Sequence, residues 1–174
     1  PLYNYIKNKV GIPFGVVLSY RRFTKSRGYQ WDEIRNAFSQ LCSDGVSFIT
    51  DGGTPVIIIN GNQSNDRKRL DIAHELGHML MHIFPNIAIP GHRDKEKEAF
   101  RFAAEFLMPE KEIKDSLIKL KLAYLVPLKQ CWLTSMAAII HRAMELDCID
   151  KDWYQYLNIE LSRRGYKKHE PIDV

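Results

Sequence analysis

The amino-acid sequence predicts an α+β fold in which a small antiparallel β-hairpin packs on a mostly helical domain. Two β-branched segments, residues 46–50 and 55–60, are joined by Asp-Gly-Gly-Thr, a composition typical of a hairpin turn. The chain after them carries apolar residues at helical spacing. With 174 residues, 45% of them hydrophobic, it is long enough to bury one compact core.

Apolar residues three and four apart, with caps and prolines at the boundaries, predict the helices. The first covers residues 31–41. A longer helix covers 66–84, with Asn65 or Asp66 as its N-cap, and Pro85 ends it. Further helices are expected at 94–107, at 110–125, at 135–146 behind a Thr134 or Ser135 cap, and at 153–161.

Composition excludes several classes of protein. No apolar run approaches the roughly 20 residues of a membrane span, and the amino terminus lacks the layout of a signal peptide. The three cysteines, Cys42, Cys131 and Cys148, are scattered, which argues against a disulfide scaffold and for the cytoplasm. The chain begins at Pro1, which leaves open a preceding module.

The net charge of +4 is unevenly distributed. Charged residues before Asp32 are all basic, and the carboxyl-terminal stretch adds Arg163, Arg164, Lys167 and Lys168. A solvated surface is the favoured interpretation over a nucleic-acid footprint, because no helix shows a clear row of base-reading side chains. DNA binding by this chain is therefore not expected. The basic residues at 67–69 oppose the dipole of the predicted helix, so we expect them to serve a contact.

The stretch His74-Glu75-Leu-Gly-His78 is the pattern H-E-x-x-H. Two imidazoles four residues apart lie about 6 Å apart along a helix axis, so both can reach one metal ion. The intervening Glu75 projects from an adjacent face, where it can accept a proton. Gly77 in mid-helix indicates close approach of substrate or backbone, or packing against the hairpin.

A catalytic zinc site needs a third protein ligand, which the motif does not provide. His82 lies about 12 Å along the axis from His74, too far to share the ion. A packing role is favoured for it over a supporting hydrogen bond. The next helix offers Glu96, Glu98 and Glu105, and spacing alone does not choose among them, although Glu96 and Glu98 lie on different faces.

The region 46–109 closely resembles the ImmA/IrrE family of metallopeptidases. That family reads R-x-x-x-A-H-E-x-x-H after a hairpin strand, followed by E-x-x-A-N-x-F-A-A-x-L-L-M-P. The residues on matching positions outside the H-E-x-x-H are Arg69, Ala73, Glu96, Ala99, Phe102, Ala103, Ala104, Leu107, Met108 and Pro109. The resemblance implies a zincin-like, gluzincin-like site in which His74, His78 and Glu96 hold Zn²⁺ and Glu75 is the catalytic base.

The sequence departs from the family pattern at two places. Phe100 stands where the family has Asn, which is expected to alter substrate contacts beside the metal. Leu70-Asp71 replaces Phe-Thr, and Asp71 is either an acceptor that orients His74 or an ordinary exposed carboxylate. Neither change removes a ligand or the base. For the oxyanion, His92, His141 and several tyrosines are candidates by residue type only.

The resemblance implies a zinc metallo-endopeptidase domain over residues 1–125, with a helical extension at 126–174 packed on it. Its expected partner is a protein substrate, namely a transcriptional repressor or other helix-turn-helix regulator, in stress responses or on mobile elements. If strand 56–60 lies at a sheet edge, it can bind substrate as an added strand. The alternative is a metal-bearing sensor domain that binds a ligand or partner without cutting it.

Overall fold

A computed structural model describes residues 15–17, 45–49, 55–60, 63–83, 93–167 and 169–172, with only the backbone at 15–17. Within these residues the molecule has a small sheet and six α-helices, which confirms the α+β prediction. The predicted helix at 31–41, the hairpin turn at 51–54, Pro85 and His92 lie outside the described residues.

In the part of the chain that the structure describes, the sheet has three strands: β1 (Gly15–Val17), β2 (Gly45–Ile49) and β3 (Pro55–Ile59). Their order is β1-β3-β2; β2 runs antiparallel to β3, with Gly45 opposite Ile59, whereas β1 runs parallel to it. The predicted hairpin is therefore confirmed. The condition for strand 56–60 to bind substrate, a position at a sheet edge, is not met, because β3 is paired on both sides. Its unbroken β-branched run, largely buried, is typical of a central strand.

The motif helix, α1 (Asn65–His78), continues into a π-helical turn at Met79–Ile83. Its N-cap is Ser64 rather than Asn65 or Asp66. The Asp66 side chain is buried instead and pairs with Lys129, whose ammonium lies 2.6 Å from its Oδ2. A tertiary contact has thus displaced the local capping role that the sequence predicts for Asp66.

Helix α2 (Lys95–Leu107) begins behind Asp94, whose carboxylate accepts a hydrogen bond from the Lys97 amide. It packs closely on α1 at Gly77. A Cβ placed there would lie 3.2 Å from the Ala99 Cα and 3.0 Å from the Phe102 ring. Gly77 therefore permits contact with α2, rather than packing against the hairpin or approach of substrate.

The predicted helix 110–125 is wrong in its length. Helix α3 (Glu110–Leu117) ends early, and Lys119 has a positive φ of 56°. A 3₁₀ turn (Leu122–Tyr124) leads into α4 (Leu125–Trp132), a separate helix that the apolar spacing did not predict. Pro127 lies in the first turn of α4, where the missing amide proton costs nothing. The apolar spacing runs across both helices, and it concealed this break.

Two further helices complete the described chain. Helix α5 (Met136–Glu145) begins at Ser135, whose hydroxyl accepts from the Ala138 amide, so the second of the two proposed caps is correct. Helix α6 (Lys151–Arg163) is longer than predicted because Asp150 caps it through the Trp153 amide.

Within the described segments, the buried side chains form two apolar clusters. A small one joins β3 to the end of α1 through Ile57, Ile59 and Met79. A larger one fills the space between α3 and the carboxyl-terminal helices α4, α5 and α6. In the described part of the chain no single helix has the length and apolar character to cross a membrane, although the bent pair Leu122–Trp132 and Met136–Glu145 meets that test together.

Candidate metal centre

Helix α1 brings the two motif histidines together on one face. The Nε2 atoms of His74 and His78 lie 3.0 Å apart, and both side chains are largely buried. This separation follows from the four-residue spacing, which stacks the rings one turn apart. Both histidines thus direct the same ring nitrogen to a common point.

Glu96, from the first turn of α2, completes the group. Its two carboxylate oxygens lie 3.2 Å from the His74 Nε2 and 3.2 Å from the His78 Nε2. Atoms bound at 2.0–2.1 Å to one tetrahedral ion lie about 3.3 Å from one another. The three residues therefore fit a single zinc ion by their separations as well as by donor type.

The electrostatics of the group favour a neutral imidazole at His74, and the neutral ring is the form that binds metal. Burial lowers the pKa of His74, and the neighbouring His78 lowers it further, against the opposing effect of Glu75 and Glu96. The Glu96 side chain is 69% exposed, so the group is open to the cavity on that side. Two imidazole nitrogens and one carboxylate with an open side match a catalytic rather than a closed structural zinc site.

The other carboxylates that spacing left open point elsewhere. Glu98 lies behind the histidines, where Arg93 donates to it at 2.7 and 2.5 Å. The Arg93 guanidinium and His82 lower the pKa of Glu98 to about 2. Glu105 forms an ion pair with the buried Arg142.

His82 makes hydrogen bonds, although packing was the favoured prediction for it. Its Nδ1 lies 3.1 Å from the Nδ1 of His78, and its Nε2 lies 3.0 Å from the Glu98 carboxylate. The ring is 5% exposed. His82 therefore contacts a candidate ligand from behind and is not itself a member of the group.

Glu75 lies in the same cavity as the three donors, and the hairpin holds its carboxylate. The Ser47 hydroxyl donates to its Oε2 at 2.5 Å. A Cβ on Gly45 would lie 3.1 Å from the Glu75 Cγ, so glycine leaves room for this side chain. Sequence reasoning missed both hairpin residues. Their only signal was a small residue and a hydroxyl on alternate positions of β2.

The cavity has a volume of about 550 Å³ and runs from β2 across α1 to the start of α2. Phe100 lines it, 51% exposed, with its ring centroid 4.1 Å from that of His74. Asp71 also lines it and is half-buried. The His74 Nδ1 has no hydrogen-bond partner among the described residues, so it does not donate to Asp71, which was one of the two roles considered for that carboxylate.

Other residues singled out by type lie away from this cavity. His141 is exposed on α5 beside Tyr154, and none of the tyrosines in the described segments lines the cavity. At the basic start of α1, Arg67 donates to the backbone carbonyl of Lys167 at 3.2 Å. That residue therefore serves an internal contact with the carboxyl-terminal tail.

Comparison with known proteins agrees with this geometry. A search of curated proteins gives no match. The model of the Peptidase M78 family, described as the IrrE N-terminal-like domain, matches residues 14–144, which include both strands of the hairpin and the whole candidate centre. Since the match covers most of the chain, this protein belongs to the Peptidase M78 family of IrrE N-terminal-like domains.

Proposed function

We propose that this protein is a zinc metallo-endopeptidase that hydrolyses a peptide bond in a regulatory protein. The observation that carries the proposal is the single cavity that holds the donors His74, His78 and Glu96 beside the buried carboxylate of Glu75. A peptidase needs both a metal position and a nearby base. The family membership supports peptidase chemistry independently.

Each residue has a distinct part in this mechanism. His74, His78 and Glu96 would hold the ion. When bound, zinc supplies Lewis acidity, which lowers the pKa of water to about 7 and polarises the substrate carbonyl. Glu75 accepts the proton of the attacking water and passes it to the leaving amine. The Ser47 hydroxyl fixes the orientation of that carboxylate.

Strand β2 is the element best placed to bind an extended substrate. Among the described strands it pairs only with β3, and Gly45, Val46 and Ser47 line the cavity. A peptide added to this edge would pass the metal donors, with main-chain hydrogen bonds giving affinity. Phe100 on the opposite wall offers an apolar surface to a substrate side chain.

The substrate class rests on resemblance. We propose a transcriptional repressor or another helix-turn-helix regulator as the target, since members of the ImmA/IrrE family resemble regulators whose target is a repressor or other transcription factor. We propose a cytoplasmic location for this activity, which agrees with the free thiols of Cys131 and Cys148.

The test compares the zinc-loaded protein with Glu75→Gln on a panel of purified helix-turn-helix repressors and a random peptide mixture. New amino termini are detected by mass spectrometry. The parent is expected to cut at least one substrate, whereas Glu75→Gln keeps its zinc and cuts none, because the amide cannot accept the proton. Glu112→Gln, an exposed change on α3, serves as the matched control and should cut like the parent.

Two results would contradict the proposal. Cleavage by Glu75→Gln at the parental rate would remove Glu75 from the mechanism. A parent that binds zinc but cuts nothing would favour the alternative, a metal-bearing sensor domain that binds a ligand or partner.

A further inference from the structure

We propose that Arg93, Glu98 and His82 form a hydrogen-bonded chain that orients His78 and raises its affinity for the metal ion. The three are positioning residues, because none of them supplies a donor atom to the group formed by His74, His78 and Glu96. This inference rests on the proposed metal site and adds the three residues that orient one of its ligands, His78.

The chain is continuous in space. The Nδ1 atoms of His78 and His82 lie 3.1 Å apart, and the opposite ring nitrogen of His82 lies 3.0 Å from a Glu98 oxygen. Arg93 then donates to both Glu98 oxygens through its Nε and one terminal nitrogen. The distances from His78 to His82 and from His82 to Glu98 are both within hydrogen-bond range.

The direction of each bond follows from the chemistry at His78. Its Nε2 faces Glu96 and His74, so this nitrogen must carry the lone pair for a metal. The proton of the neutral ring is then on Nδ1, which donates to the Nδ1 of His82. His82 therefore holds its own proton on Nε2 and donates it to Glu98. One tautomer of each ring satisfies all these contacts.

The arrangement extends a common feature of metal sites. A metal-bound histidine usually donates its second ring proton to a carboxylate or carbonyl, which fixes the ring and increases its basicity. Here an imidazole is interposed between His78 and the carboxylate. The bidentate ion pair with Arg93 fixes the Glu98 carboxylate, which is the last acceptor in the series, in its ionised form.

His82 also differs from a side chain that only packs. It is 5% exposed, yet both of its ring nitrogens have polar partners. His74 provides an internal contrast, since its Nδ1 has no hydrogen-bond partner in the segments that the structure describes. Among the two candidate histidine ligands, only His78 therefore has a hydrogen bond to its second ring nitrogen within the described residues.

The positions of Glu96 and Glu98 on α2 explain how the first turn of this helix can supply both a metal donor and a carboxylate that supports His82. Glu96 and Glu98 lie about 200° apart around α2, since each residue turns the helix by about 100°. One carboxylate thus faces the metal donors and the other lies behind them, anchored to Arg93 just before the helix.

The test measures zinc affinity by competition with a chromophoric chelator in the full chain, with the cobalt(II) absorption spectrum as a second readout. His82→Phe keeps the ring volume but removes both hydrogen bonds, and we expect zinc to bind about 10-fold to 100-fold more weakly. His82→Asn keeps an acceptor near the former Nδ1 and should recover most of that loss. His141→Phe, an exposed histidine on α5, is the matched control and should bind like the parent.

A double variant tests whether Glu98 and His82 act as one hydrogen-bonded series. Glu98→Gln alone should weaken binding less than His82→Phe, since the amide oxygen still accepts from His82. Because Glu98 acts only through His82, His82→Phe/Glu98→Gln should bind zinc no more weakly than His82→Phe. The cobalt spectrum should shift in His82→Phe and return toward the parental spectrum in His82→Asn.

The outcomes separate this inference from the proposed function. Parental zinc affinity in His82→Phe, or losses that multiply in the double variant, would overturn the inference and leave the peptidase proposal standing. A parent that binds no zinc would overturn both.

Discussion

Lys129 is a buried cation between two carboxylates, and its replacement by methionine tests how the carboxyl-terminal tail is held. The ammonium lies 2.6 Å from Asp66 at the start of α1 and 2.6 Å from Glu170 in the tail. The lysine side chain is 1% exposed and that of Asp66 is 2% exposed. Methionine keeps the length of the apolar stem and removes the charge.

The expected loss of folding stability follows from the two carboxylates that the substitution leaves without their cation. Removing one partner of a buried ion pair costs about 3–5 kcal/mol, because the other charge stays buried without compensation. Asp66 keeps the Arg67 amide, and Glu170 keeps the Met136 amide. We therefore expect the free energy of unfolding to fall by about 3 kcal/mol, the lower end of that range. If this free energy changes by about 2 kcal/mol per molar urea, the midpoint of urea unfolding falls by about 1.5 M.

The loss should also depend on pH. Burial raises the pKa of Asp66, but the hydrogen bonds from Lys129 and Ser64 outweigh it, so the pKa of the folded parent lies below 3.8. In the parent this stabilisation is present above pH 3.8 and is lost as the pH falls through the folded pKa. In Lys129→Met the effect of the ammonium is lost and burial, the largest single effect, is opposed only by the bonds from Ser64 and the Arg67 amide, so the pKa of Asp66 rises. The variant should therefore approach the parent in stability between pH 7 and pH 4.

The assay is urea unfolding at pH 7 and pH 4.5, followed by circular dichroism in EDTA so that metal binding does not contribute. Lys111→Met, an exposed change on α3, is the control and should stay within about 0.5 kcal/mol of the parent. A loss below about 1 kcal/mol at pH 7, or one equal at both pH values, would refute the reasoning.

Three other substitutions probe the cavity and the contact between α1 and α2. Gly77→Ala should lower the free energy of unfolding by about 1–3 kcal/mol in urea titrations, because the new Cβ lies 3.2 Å from the Ala99 Cα; a stabilised variant would contradict this packing. For peptides with large apolar side chains, Phe100→Asn should raise KM by a larger factor than it changes kcat. Equal effects on both constants would count against contact between Phe100 and the substrate. Ser47→Ala should lower kcat about 10-fold to 100-fold while zinc content stays constant, because Glu75 loses the hydroxyl that orients it; unchanged kcat would exclude that role.

Elements with strong local signals were predictable from the sequence. The hairpin followed from two β-branched runs and a glycine turn, and α2 followed from its periodicity and from Pro109. The predicted helix 110–125 failed because apolar spacing persisted through a break. Lysine at position 119 gives no local sign of the positive φ that it adopts.

The candidate site was predictable only where its residues are neighbours in the chain. His74, Glu75 and His78 share one helix, whereas Ser47 reaches Glu75 from 28 residues away. Spacing also left Glu96 undecided. The small residue Ala99, three positions further on, is buried against α1, and this pairing marks the face of α2 that carries the ligand.

The most direct test of the metal centre is the zinc content of the dialysed parent, Glu75→Gln and Glu96→Ala. One zinc ion per chain is expected in the parent and in Glu75→Gln, because the base is not a ligand. Far less is expected in Glu96→Ala, since two histidines alone leave the ion with two protein donors. Full zinc content in Glu96→Ala, or none in the parent, would contradict a centre built from His74, His78 and Glu96.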